Sequence, residues 1–176
     1  MANKLPVIQK WIEDTLVAYR SKTTTVADLD LPHLDRYFPQ KLLRETKTVH
    51  LSEFLPLPPL SEIGLHEFSN FEEPATYEAV TYGDTIFLRE ALQSEVLYFH
   101  ELVHVIQWGR LGNKHYLFAY IAGLLEFGYD NNPLEEIAFS LQEEFRRGEL
   151  PTDVTDRIHK HSDTIWQKTA GVYSVA

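Results

Sequence analysis

Cysteine is absent from the 176-residue chain, and methionine occurs once, at Met1. Without cysteine there are no disulfides, thiol nucleophiles or cysteine-built zinc knuckles, so any metal must be held by His, Asp or Glu. Basic residues are scarce as well: 16 Lys and Arg stand against 26 Asp and Glu, a formal net charge of −10. The acidic residues crowd one region, where Glu62, Glu67, Glu72, Glu73, Glu78, Asp84 and Glu90 are opposed only by Arg89. Such a surface repels a phosphate backbone, so no nucleic-acid partner is expected. Long apolar runs are also missing. The longest, residues 117–125, is about half of the roughly 20 residues that span a bilayer. The opening MANKLPVIQKWIEDTL has neither an uninterrupted apolar stretch nor a small-residue cleavage site. We therefore expect a cytoplasmic protein with no membrane partner. No internal repeat or low-complexity tract is found.

What is present is material for a core. Hydrophobic residues make up 44% of the chain, with 10 Phe, 9 Tyr and 3 Trp, enough for a single domain over residues 1–176. Ile8, Trp11, Ile12 and Leu16 recur at helical spacing and predict an amphipathic opening helix. A short helix is expected around residues 35–44, a strand in TKTVHLSEF, and a loop through the prolines of FLPLPPLSEIG. In YEAVTYGDTIFLRE, β-branched and aromatic residues flank Gly83-Asp84, which predicts a strand or a hairpin carrying a bulge. Four helical segments follow. The first, residues 91–108, is apolar on nearly every side and should be central and buried. The second covers about residues 114–127. Asn132-Pro133 supplies a cap and first turn for the third, which runs to about residue 147, and the last begins near residue 151. The expected fold class is α+β: a small sheet in the N-terminal half packed on a helical half.

Within the central helix stands HELVH, residues 100–104. Residues i and i+4 of a helix differ in direction by roughly 40°, so His100 and His104 can bring ring nitrogens to one ion. Glu101 points roughly 100° away, which makes it a poor co-ligand and a suitable base for an activated water. Imidazoles and a carboxylate on an apolar helix would cost a few kcal/mol unless paired or ligated. A catalytic zinc usually has three protein ligands, so a third must come from elsewhere. The extension HExxHxxGxxH is excluded, because Gln107 and Arg110 occupy the positions that would need Gly and His. On the third helix, Leu134, Ile137, Ala138, Leu141 and Phe145 define an apolar face. Glu135 lies at its border and Glu136 on the solvent side, and Asp130, in the preceding turn, is an alternative ligand.

HELVH followed by a helix-opening Glu resembles the gluzincin clan of zinc metallopeptidases, to which thermolysin belongs. More narrowly, HELVHVIQWGRLG with YDNNPLEEIAF is similar to small bacterial HExxH proteins in which the Glu after Asn-Pro-x is the third ligand. The resemblance covers roughly residues 77–147. It implies a zincin-like fold, Zn²⁺ held by His100, His104 and Glu135, and Glu101 as general base acting on a peptide or protein substrate. One departure matters: where thermolysin-like enzymes place an Asp that supports a zinc-binding His, this chain has Phe139, so support must come from another group.

Several further residues are candidates. Tyr129, His115 and Tyr120 are candidate oxyanion donors or supports of a ligand, and Gln107 a candidate for orienting a ligand. The strand before the metal helix, with Thr81, Gly83 and Thr85, is a candidate edge for adding a substrate peptide as a further strand. His159 and His161 are assigned to solvent. Two readings compete with the peptidase. One is a catalytically weak module that binds a peptide or protein and keeps the metal for stability. The other, a two-His-one-carboxylate iron oxygenase, gives Glu101 no role.

Overall fold

The computed structural model describes residues 4–62, 64, 66 and 77–173. Glu67, Glu72 and Glu73 of the acidic region lie outside them, while Glu62, Glu78, Asp84 and Glu90 are exposed. The described residues form five α-helices and one four-stranded mixed sheet, so the α+β class holds, with helix predominating.

The opening helix α1, Leu5–Tyr19, has Pro in its first turn, where no N–H is needed. Leu5, Ile8 and Ile12 bury one stripe of it. After β1, Thr24–Thr25, the helix expected at residues 35–44 is divided into a 3-10 turn at Leu34–Arg36 and α2, Gln40–Glu45. Pro39 explains the break, since its ring disfavours helical backbone at Phe38 and it has no N–H to donate.

Strand β2, Lys47–Leu51, lies inside the predicted stretch. The hairpin of β3, Ala79–Tyr82, and β4, Thr85–Arg89, turns at Gly83-Asp84, with Gly83 at φ 61°. Pairing is continuous from Tyr82↔Thr85 to Ala79↔Leu88, so there is no bulge: the two turn residues alone reverse the chain. The sheet order is β1-β2-β4-β3, with β2 and β4 parallel and the outer pairs antiparallel. β4 is therefore interior, and β3 is an edge among the described residues.

Alternation sends Thr48, Thr81, Ile86 and Leu88 to one face and Val49, Tyr82 and Phe87 to the other. The second face packs on α1, where Trp11 meets Tyr82 at 5.8 Å and Tyr19 meets Phe87 at 5.3 Å, both edge-on. The first face packs on α3, Glu95–Phe127, capped by Ser94 through its bond from the Leu97 N–H. Gly112, at φ 73° and ψ 162°, bends α3 between its two predicted segments. Every residue from Tyr98 to Trp108 is buried, because the sheet covers one side, α1 packs on the end near Trp108, and two later helices cover the rest.

Those helices are α4, Pro133–Arg147, and α5, Val154–Tyr173. Asn132 caps α4 by accepting the Leu134 N–H, and Gly148 closes it in the left-handed region. Leu134, Ala138 and Leu141 are fully buried, Ile137 is half-buried and Glu136 is exposed, so α4 has the expected rotation. Arg157 of α5 clasps Glu144 of α4 with bonds of 2.7 and 3.0 Å. No helix among the described residues is long and apolar enough to cross a membrane.

Candidate metal centre

Three side chains from two helices meet between α3 and α4. His100 and His104, 4% and 5% exposed, bring their Nε2 atoms to 3.0 Å of one another. Glu135, 3% exposed, places Oε2 3.2 Å from each of them. A tetrahedral zinc with bonds of about 2.0–2.1 Å holds its ligand atoms about 3.3 Å apart. The triangle thus fits one such ion, and the donor set of two imidazoles and a carboxylate suits zinc. Asp130, the alternative ligand, is exposed in the turn and takes no part.

The surroundings fix how each ligand is presented. The Gln107 amide donates from Nε2 to the Leu134 carbonyl at 2.9 Å. Its Oε1 is thereby turned to His104 Nδ1, at 2.8 Å. That arrangement assigns a proton to Nδ1, so it is the Nε2 proton that must leave for His104 to present a lone pair to the centre. The Tyr120 hydroxyl donates to Glu135 Oε1 at 2.6 Å, which leaves Oε2 for the histidines. Asn132 fastens the two helices together: Nδ2 donates to the Tyr120 carbonyl at 3.0 Å while Oδ1 accepts the Leu134 N–H at 3.1 Å. Gly123 makes room for this, since a Cβ there would lie 2.6 Å from Asn132 Oδ1. His100 lacks comparable support. Its Nδ1 is buried without a hydrogen-bond partner, and its ring packs on Phe139 at 4.8 Å.

Burial opposes a charged His104, but the adjacent Glu135 carboxylate outweighs it and pushes the imidazole up to about 9. Burial would likewise raise Glu135, yet His104 and His100 hold it well below the usual carboxylate range. In the absence of an ion, His104 and Glu135 serve as one another's counterions.

Glu101 is 5% exposed and stands outside the triangle. Its Oε2 accepts a 2.7 Å bond from the hydroxyl of Thr81 on β3. Triangle and Glu101 share a cavity of about 150 Å³, whose wall includes Tyr77, Thr81, Trp108, Tyr116, Tyr120 and Tyr129. Burial first, and then the Glu135 charge, push the Tyr129 hydroxyl far above its ordinary range, so it remains a donor.

Some expected participants lie elsewhere. His115 is not in the cavity wall, because its ring is taken up in a 4.0 Å stack on Trp166. Of the proposed edge residues only Thr81 borders the site. Gly83 lies in the hairpin turn and Thr85 on interior β4, where β2 already covers its outer side. His161 is half-buried rather than solvated; its Nδ1 has no partner, and burial lowers its pKa. Tyr77, Trp108 and Tyr116 were not anticipated, nor was the Thr81 hydroxyl bond. A polar residue on the buried face of a strand needs a partner, and that was the available signal for Thr81. Comparison with protein-family models, curated proteins and solved structures returned no match.

Proposed function

We propose that the protein is a zinc-dependent hydrolase, most specifically a metallopeptidase, in which His100, His104 and Glu135 hold the ion and Glu101 is the general base. One observation carries this reading: three ligand atoms lie within 3.2 Å of one another, while the second buried carboxylate of the same cavity, Glu101, stands outside the triangle and is bonded to Thr81. Bound zinc would supply a Lewis acid that acidifies water and polarises a carbonyl oxygen. The Glu101 carboxylate accepts a proton at the oxygen that Thr81 leaves free. Tyr129 is the donor to the developing oxyanion, because Tyr120 is committed to Glu135.

A substrate peptide has a place to lie. Arg89 N–H donates to the Glu78 carbonyl at 3.1 Å, so by antiparallel alternation Ala79 and Thr81 direct their backbone groups away from β4. All four β3 residues border the cavity, as strand addition beside the site would require. A mixed sheet packed on the HELVH helix, followed by a helix that offers Glu135, supports a zincin-like fold of gluzincin type.

The second reading, a peptide-binding or protein-binding module with a structural metal, draws on the unsupported Nδ1 of His100 beside Phe139. Glu101→Gln separates the two. The peptidase reading expects zinc to be retained and hydrolysis of a broad peptide library to fall about 100-fold or more. Equal activity in the variant, or no cleavage by the parent, supports the module instead.

A further inference from the structure

Gly123 stands within the second segment of α3, where glycine is a poor helix former and the backbone stays helical, the non-helical residue of this helix being Gly112. The reason for a glycine there lies across the interface. A Cβ at position 123 would come within 2.6 Å of Asn132 Oδ1, 2.9 Å of its Cγ and 3.2 Å of its Nδ2, so the amide occupies the space a side chain would take. Helical side chains lean toward the preceding turn, so one at position 123 would also crowd the Tyr120 carbonyl, to which Nδ2 donates at 3.0 Å. Asn132 is fully buried. The orientation of its amide is fixed by its partners, since only the oxygen can accept the Leu134 N–H and only the NH₂ can donate to a carbonyl. Its backbone carbonyl accepts the N–H groups of Glu135 and Glu136 at 2.9 and 2.8 Å. One residue is thus bonded on one side to α3 and on the other to the residue that offers the third ligand.

We propose that Asn132 and Gly123 are positioning residues of the metal centre: the amide seated against Gly123 sets where α4 starts along α3, and so brings Glu135 to both histidines. A slip of one residue along a helix is about 1.5 Å, whereas metal ligation tolerates about 0.2 Å. The proposal rests on the metal reading and is independent of hydrolysis. It gives Gly123→Ala an effect opposite to the one helix propensity predicts, because alanine is the better helix former and yet should harm the site.

The test measures zinc affinity of the full-length protein by competition with a chromophoric chelator, well below the melting temperature of each variant, together with the visible spectrum of the cobalt-loaded form. Asn132→Ser retains a helix cap but is too short to reach the Tyr120 carbonyl, and Gly123→Ala displaces the amide. Each should weaken zinc binding about 10-fold or more and alter the cobalt bands. The double variant should bind no more weakly than the weaker single one, since both changes break one contact. Val26→Ala truncates a buried side chain that does not line the site; it should lower the melting temperature while keeping the parent affinity and bands. Parent affinity in either Asn132→Ser or Gly123→Ala, losses that multiply in the double variant, or an equal loss in Val26→Ala would overturn the positioning role and leave the metal reading standing. A parent protein that takes up no zinc would overturn both.

Discussion

Helix α3 contributes His100 and His104 from a stretch buried on every side, whereas α4 contributes Glu135 from the border of a single apolar stripe. In α4 the stripe sets the rotation: Leu134, Ala138 and Leu141 go inward, Glu135 follows them and Glu136 does not. In α3 there is no such stripe, and orientation depends on where the polar groups find partners. His104 meets Gln107 and Glu135, and Glu101 meets Thr81. An amphipathic helix is positioned by what it buries, a wholly buried one by what it must satisfy.

Removing a ligand should break the comparison most severely. His100→Ala or His104→Ala should abolish tight zinc binding, and Glu135→Ala should weaken it by orders of magnitude, measured by competition with a chromophoric chelator. Acid should have the next largest effect. The His104 proton, held up to about 9, must leave before the ring can ligate. Zinc affinity should thus fall as pH drops below about 9, by about tenfold per unit where one proton is displaced. Metal-free stability has the opposite sign. A raised histidine pKa contributes stability that is full below the unfolded value of 6.5 and is lost as pH rises through about 9. The melting temperature of chelator-treated protein should therefore decline across that window, and that of the zinc-loaded protein should not follow it.

Smaller effects sharpen the contrast. Gln107→Leu and Tyr120→Phe leave all three ligands in place but remove their supports, and each should cost about 10- to 100-fold in zinc affinity. Loss at Gln107 acts through α3, and loss at Tyr120 through the hold on α4. Glu136→Ala should change neither zinc affinity nor stability beyond about 0.5 kcal/mol. A larger effect there would mean that α4 is rotated away from its stripe.

The same contrast explains what was legible in the sequence. Helical periodicity, the Asn132-Pro133 start and the split between Glu135 and Glu136 are local signals, and each held. The HELVH spacing likewise placed two imidazoles together. What could not be read depends on distant pairing. The order of the sheet decides that Thr81 is on an edge and Thr85 inside, and no local pattern encodes that order. The stack of His115 on Trp166 joins residues from different helices, as does the hold of Tyr120 on Glu135. Candidate lists drawn from residue type alone could not rank these side chains. The Pro39 break was legible in principle, since proline restricts the residue before it.

The most direct test of a zinc centre on these two helices is anomalous diffraction from zinc-loaded crystals, measured on both sides of the zinc edge. A single strong peak about 2.0–2.2 Å from His100 Nε2, His104 Nε2 and a Glu135 oxygen, with Glu101 off the ion and still bonded to Thr81, is the predicted result. A peak elsewhere, or one that Glu101 ligates in place of Glu135, would contradict it.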